Sequence, residues 1–153
     1  MRAYLEQFPD PQVHRMEKHK ASSAAEAAPE ALGPTAYHRS ELAKGRFVIQ
    51  RASNSGRCFF YPRNFEPGTG DADFTWIEPS GRAVVYSTTP VWRRPEQGGT
   101  FNIALVDLEE GPRMLTRIVG IDPEAVEIGM NVIASIEDVE GQTLVVYRPE
   151  DRK

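Results

Sequence analysis

The sequence predicts an α+β chain, mainly β, in which a short helix precedes a ribbon-like hairpin and a five-stranded OB-fold barrel. Three observations carry this expectation. From Phe74 onward the chain reads as short β segments divided by Gly, Pro and Ser turns. The third and fourth barrel strands are separated by GIDPEAVEIGM, Gly120 to Met130, a connection that suits an OB-fold. Ahead of the barrel, GRFVIQRASNSGRCFFYPR runs from Gly45 to Arg63 and continues as NFEPGTGDADFTWIEPSGR. Its rhythm is strand, knuckle, strand, knuckle. That is the rhythm of a zinc ribbon, whose metal takes four ligands, two from each knuckle.

The 153 residues make one domain, or one domain with a small appendage. At 40% hydrophobic and 26% charged, the composition is that of an ordinary globular chain, without apolar runs long enough to span a membrane. The opening MRAYLEQFPDPQ lacks the apolar core and cleavage site of a signal peptide. A single cysteine excludes an intramolecular disulfide, and a cytoplasmic location is the expectation. The net charge of −4 counts against nucleic acid as a partner. Basic charge gathers in one place: Arg39 to Arg63 holds six Arg/Lys and one acid, Glu41, whereas Gly81 to Lys153 holds eight Arg/Lys and twelve Asp/Glu.

Residues 1–34 form an expected leader, helical or mobile. Met1 to Lys20 has a weak amphipathic pattern around Val13 and Met16. Ala21 to Leu32 is Ala-rich but interrupted by Pro29. Residues 35–79 are expected to hold a helix and the ribbon-like module, and residues 80–150 the barrel. Thr35 to Lys44 reads as the helix, with Tyr37 and Leu42 on its apolar edge and Gly45 as its stop. Phe47 to Ile49 and Cys58 to Tyr61 read as hairpin strands around the turn Ser53-Asn54-Ser55-Gly56. Further strands are expected at Phe74–Glu78, Arg82–Trp92, Phe101–Leu108, Arg113–Val119, Asn131–Val139 and Thr143–Arg148. Asp122 caps a turn that starts with Pro123. The expected barrel interior is Val84, Tyr86, Ile103, Leu105, Val106, Leu115, Ile118, Val132, Ile136, Leu144 and Val146.

Nothing in the chain reads as catalytic. His14 and His19 are spaced by five, which does not place them on one helix face, and His38 stands alone on the first helix. Cys58 lies in apolar β sequence, where a thiol is inert. Asp107, Glu109 and Glu110 read as solvent-facing at a turn. Motifs of serine hydrolases, zinc proteases and phosphate loops are missing. The candidate binding residues are Trp92, Arg93 and Arg94. An aromatic followed by two guanidiniums can stack a base and clamp phosphates, which suits the 3′-phospho-ADP part of coenzyme A or a single-stranded nucleic acid. Arg51, Arg57 and Arg63 form a second basic set on the hairpin.

The motifs QR-x₄-GR-x-x-FYPR, W-x-E-x-SGR-x-x-VYS, ALVDL-x-EGPRM and IVGIDPEAVEIGM follow one another in this order. They occupy Gln50-Arg51, Gly56-Arg57, Phe60 to Arg63, Trp76 to Ser87, Ala104 to Met114 and Ile118 to Met130. Together they resemble the zinc-ribbon/OB-fold family known as domain of unknown function 35, over about Thr35 to Pro149. The resemblance implies an N-terminal helix, a rubredoxin-like ribbon and a C-terminal OB-fold. It also implies a non-catalytic accessory or scaffold role beside a thiolase-like or other acyl-CoA enzyme, bridging subunits or helping to hold coenzyme A. The alternative function is an OB-fold nucleic-acid binder. The family's ribbon cysteines would fall near Ala52, Ser55, Phe65 and Gly68, none of which replaces a thiolate. The ribbon is therefore expected to be degenerate, without zinc, and held by packing of Phe59, Tyr61, Phe65 and Trp76. No tightly bound cofactor is expected. Coenzyme A or acyl-CoA is a candidate ligand that the resemblance implies, and a homo-oligomer is left open.

Overall fold

The structure, a computed structural model, describes residues 33–150. The expected leader helix falls almost wholly outside the described residues. The chain enters helix α1, Pro34–Ala43, with proline in its first turn, where its missing N–H costs nothing. The helix stops where Gly45 adopts φ 79°, with Gly45 N donating to Leu42 O and Arg46 N to Glu41 O. Its buried face carries Tyr37, His38, Glu41 and Leu42. The Glu41 side chain is buried and takes both Lys44 and Arg46, each at 2.7 Å.

Two sheets follow. The first has three strands, β1 (Ile49–Ala52), β2 (Cys58–Phe59) and β3 (Phe74–Ile77), in the order β2-β1-β3 and antiparallel throughout. The hairpin expected around Ser53 to Gly56 joins β1 to β2, with Arg51 opposite Cys58. Helix α1 lies on this ribbon through Tyr37, whose ring centroid is 4.9 Å from that of Trp76.

The second sheet has five strands: β4 (Arg82–Val91), β5 (Phe101–Leu108), β6 (Arg113–Thr116), β7 (Asn131–Val139) and β8 (Gln142–Pro149). Their order is β6-β5-β4-β7-β8. The sheet curls until the chain beyond β6 meets β8. Ile118 bridges to Tyr147 in parallel, with Val119 N donating to Tyr147 O at 2.8 Å and Tyr147 N to Arg117 O at 2.9 Å. β6 therefore ends at Thr116, three residues before the expected Val119, because the chain leaves β5 to close the barrel. The Asp122 cap is present: its carboxylate accepts from Glu124 N ahead of a single 3-10 turn, Pro123–Ala125.

The barrel interior differs from expectation by one strand register. Val106, Ile118 and Val132 are buried in the core as expected, Leu105 and Ile136 are half-buried, and Val146 is buried but outside that core cluster, between the inward Val145 and Tyr147. Val84, Tyr86, Ile103, Leu115 and Leu144 face outward. Their neighbours Ala83, Val85, Ala104, Met114 and Val145 point inward instead. Side chains alternate along a strand, so moving the inward phase by one residue exchanges the two faces completely. The inner face of a tightly curled sheet has less room than the outer one. Alanines at 83, 104 and 134 lie there beside Leu108, Met114 and Tyr147, while Val84, Tyr86, Ile103 and Leu115 are left outside.

Two buried amides hold irregular backbone in place. Asn102 Nδ2 donates to Ile118 O at 2.7 Å and its Oδ1 accepts from Ile118 N at 2.8 Å. Gln50 does the same for Arg63, with both contacts at 2.7 Å. Each side chain replaces a missing strand neighbour, satisfying a donor and an acceptor that would otherwise be stranded.

Asn102→Ala should lower stability by about 2 kcal/mol, because Ile118 then keeps an unpaired N–H and C=O. Chemical denaturation of the two proteins measures this. The buried His38 sets a pH dependence. Burial of its ring pushes the pKa below the usual 6.5, opposed only in part by the Nδ1–H bond to Val48 O. The unfolded chain then binds the proton first, so stability falls as pH drops below 6.5 toward the lower folded value. His38→Gln should flatten the melting temperature against pH over that window.

Candidate functional site

The expected binding residues lie on both sheets. Trp92, Arg93 and Arg94 follow the end of β4, where the chain turns through Pro95–Gln97, and Trp92 is 69% exposed. Arg93 lies over the Phe101 ring, with Cζ 4.6 Å from the centroid. Arg117, which the sequence reading did not single out, lies over the same ring at 4.0 Å. Arg117 also faces Glu140 at 3.6 Å. Phe101 is the first residue of β5 and Arg117 follows the end of β6, so the curl of the sheet brings them beside the end of β4. A crevice of about 300 Å³ adjoins them, lined in part by Phe101, Asn102, Arg117, Ile118 and Gly120. Two guanidiniums thus share one ring beside a crevice that Arg117 lines, with Glu140 facing Arg117. That arrangement suits an anionic ligand with an uncharged arm.

The ribbon arginines are used differently. Arg51 Nε donates to Gly56 O at 3.2 Å and closes its own hairpin turn. Arg57 faces Glu66 at 3.8 Å. The backbone of Arg63 is held by Gln50. All three side chains remain exposed.

The resemblance places the family's ribbon cysteines near Ala52, Ser55, Phe65 and Gly68, which offer a methyl, a hydroxyl, a ring and no side chain. Among the described residues, no group of three or more His, Cys, Asp and Glu side chains gathers as a metal would need. The residues present do not fit zinc. The packing expected in its place is half right. Phe59 and Trp76 are buried, but Phe65 is 57% exposed. Tyr61 is also exposed, and its hydroxyl accepts from Leu115 N at 3.2 Å, tying the ribbon to the β6 edge.

His38 is buried and hydrogen-bonded. Glu110 is not simply solvent-facing: Oε1 accepts from Ser80 N at 2.5 Å and Oε2 is buried without a partner. Asp107 is paired with Arg113 through two bonds, at 2.6 and 3.0 Å. Cys58 is half-buried, and burial raises its thiol pKa, which suits an inert side chain.

The largest unassigned feature is the outer face of β4, β5 and β6. Val84, Asp107 and Arg113 lie in one cross-strand row and Leu105 and Leu115 in the next, with Ile103 beyond. A bulge between Val85 and Ser87 frees Tyr86 from pairing. Tyr86 covers the face with its ring, and Arg113 lies 3.1 Å above the ring centroid. Val84, Tyr86, Ile103 and Leu115 are 41 to 51% exposed. The one acid and one base in these rows neutralise each other. The result is an apolar patch of the kind that marks a protein contact, bordered at Phe101 by Arg93 and Arg117.

A family model described as the ChsH2 C-terminal OB-fold domain matches residues 76–137. A DUF35 domain-containing scaffold protein of Pyrococcus furiosus is 30% identical over 118 residues, which cover 72% of this chain and 85% of that protein. The chain belongs to the DUF35 family. A probable enoyl-CoA hydratase alpha subunit of Thermomonospora curvata is 31% identical over 140 residues, 85% of this chain. This DUF35 chain spans only 44% of that subunit's length. A solved structure described as the Ltp2-ChsH2(DUF35) aldolase matches with TM-score 0.67 and 31% identity, covering 79% of this chain and 98% of that one. Among the described residues, no helix is long and apolar enough to cross a membrane.

Proposed function

We propose that this DUF35 chain is a non-catalytic, cytoplasmic accessory subunit that docks on a thiolase-like or other acyl-CoA enzyme. The observation that carries the reading is the apolar outer face of β4, β5 and β6. Covering Tyr86, Ile103 and Leu115 removes apolar area from water at about 25 cal/mol per Å². The names of the relatives agree with this reading: one is a scaffold protein, one a hydratase subunit, and one is solved as part of an aldolase described with two components.

In this reading the barrel end contributes to coenzyme A binding. Trp92 offers a face for the adenine. Arg93 and Arg117, held on Phe101, offer N–H edges to phosphate oxygens, and Arg94 stands beside them. Arg51, Arg57 and Arg63 are secondary in this assignment, since the first two are engaged within the ribbon.

The tagged chain, expressed in its own host and recovered gently, should bring down an acyl-CoA enzyme in stoichiometric amount. Tyr86→Glu with Leu115→Glu should abolish that recovery while the melting temperature stays unchanged, because both side chains already face solvent. Recovery of the chain alone, or only as a second copy of itself, would remove the reading. Coenzyme A affinity of the recovered complex should fall about ten-fold for Arg93→Ala and again for Arg117→Ala. Unchanged affinity in calorimetry would take the ligand away from this end of the barrel.

A further inference from the structure

We propose that the ribbon of this chain is a metal-independent module, closed by a carboxylate clasp centred on Glu66 where its family relatives are implied to use zinc. The clasp spans the two turns that would carry the thiolates. Ser55, on the first turn, donates its hydroxyl to Glu66 Oε1 at 2.6 Å. Thr69, on the second turn, donates to Glu66 Oε2 at 2.7 Å. Both carboxylate oxygens are thereby satisfied, and the Glu66 side chain is almost completely buried between the turns. Arg57 approaches at 3.8 Å and supplies the opposite charge. Asp71 is the other charged group facing it.

A second layer repeats the tie. Asn54 donates its amide to the Asp71 carboxylate, which also accepts from Asp73 N at 2.9 Å. Ser53 N donates to Asp73 O at 3.0 Å, and Glu66 N donates to Asp71 O at 2.7 Å. Every residue from Ser53 to Ser55 thus has a partner on the second turn or its exit.

The substitution is chemically consistent. Zinc joins two turns because one small cation takes two ligands from each. An ionised carboxylate with two oxygens can join two turns by taking a donor from each, and hydrogen bonds to a charged acceptor are the strong ones. The exchange removes two vulnerabilities. A thiolate ribbon opens when its metal is chelated or its sulfurs are oxidised, whereas a hydroxyl–carboxylate clasp has neither metal nor thiol. The chain's one thiol, Cys58, stands on β2 outside the clasp.

The test uses the full chain, purified from zinc-supplemented cells. Metal analysis should find no stoichiometric zinc, and excess EDTA should leave the melting temperature within about 1 °C. Structural zinc is worth about 10 kcal/mol or more to a small module, so a zinc-dependent ribbon could not pass that test. The clasp itself is tested in Glu66→Gln and in Ser55→Ala with Thr69→Ala. Exchange of the Gly56, Glu66 and Gly70 amides should speed up about ten-fold or more in the hydroxyl-deleted protein. Exchange at Val106, in the barrel, should not change. One equivalent of zinc, a chelator-dependent melting drop, or unchanged exchange in the variants would each overturn the proposal.

Discussion

The structure depends on which face of each barrel strand turns inward. A sheet curled far enough for Ile118 to meet Tyr147 leaves little room within. Ala83, Ala104 and Ala134 occupy the inner face, with Val85, Val106 and Val132 among them. The alternate positions of β4 to β6 then face outward, and Val84, Tyr86, Ile103, Leu105 and Leu115 among them are apolar. Core packing and the exposed patch are thus one constraint seen from two sides. Changing the inward phase to bury Tyr86 and Leu115 would expose the alanines and overfill the barrel.

The same constraint orders the rest of the molecule. Closing the barrel needs the chain after β6 to run beside β8, and Asn102 supplies the hydrogen bonds that hold it there. That path delivers Arg117 to Phe101, where Arg93 already lies. The ribbon sits against the β6 edge through the Tyr61 hydroxyl. Its own closure comes from Glu66, whose carboxyl is held below the usual range by the hydroxyls of Ser55 and Thr69, with Arg57 adding to the effect. The clasp therefore holds above about the ordinary Glu pKa of 4.5 and weakens as pH falls below it toward the folded value.

Much of this was legible in the residues. Strands β5 and β7 lie at their expected limits, Gly45 ends the helix, and Asp122 caps its turn. Strand phase was not, because β4 to β6 carry apolar residues on both faces. Alternation then marks a strand without saying which side is inside, and size is a misleading guide when the interior is narrow. The Glu66 clasp was hidden for another reason. Ser55, Glu66 and Thr69 are common turn residues, and only the fold brings the two turns together. Arg117 was passed over because its partner ring lies sixteen residues away in sequence, at Phe101. The burial of His38 was hidden because a lone histidine on a short helix carries no sign that Phe47 and Phe60 lie against it.

The central claim is that the outer face of β4, β5 and β6 exists to be covered by another protein. The most direct measurement is hydrogen–deuterium exchange and carboxyl and tyrosine footprinting of the chain, alone and within the complex recovered from its host. The account predicts protection of Tyr86, Asp107 and the Ile103–Leu105 and Arg113–Leu115 backbone in the complex, with the β7–β8 surface unchanged. Equal labelling of the β4–β6 face in both states, with protection confined to β7 and β8 or the ribbon, would contradict it.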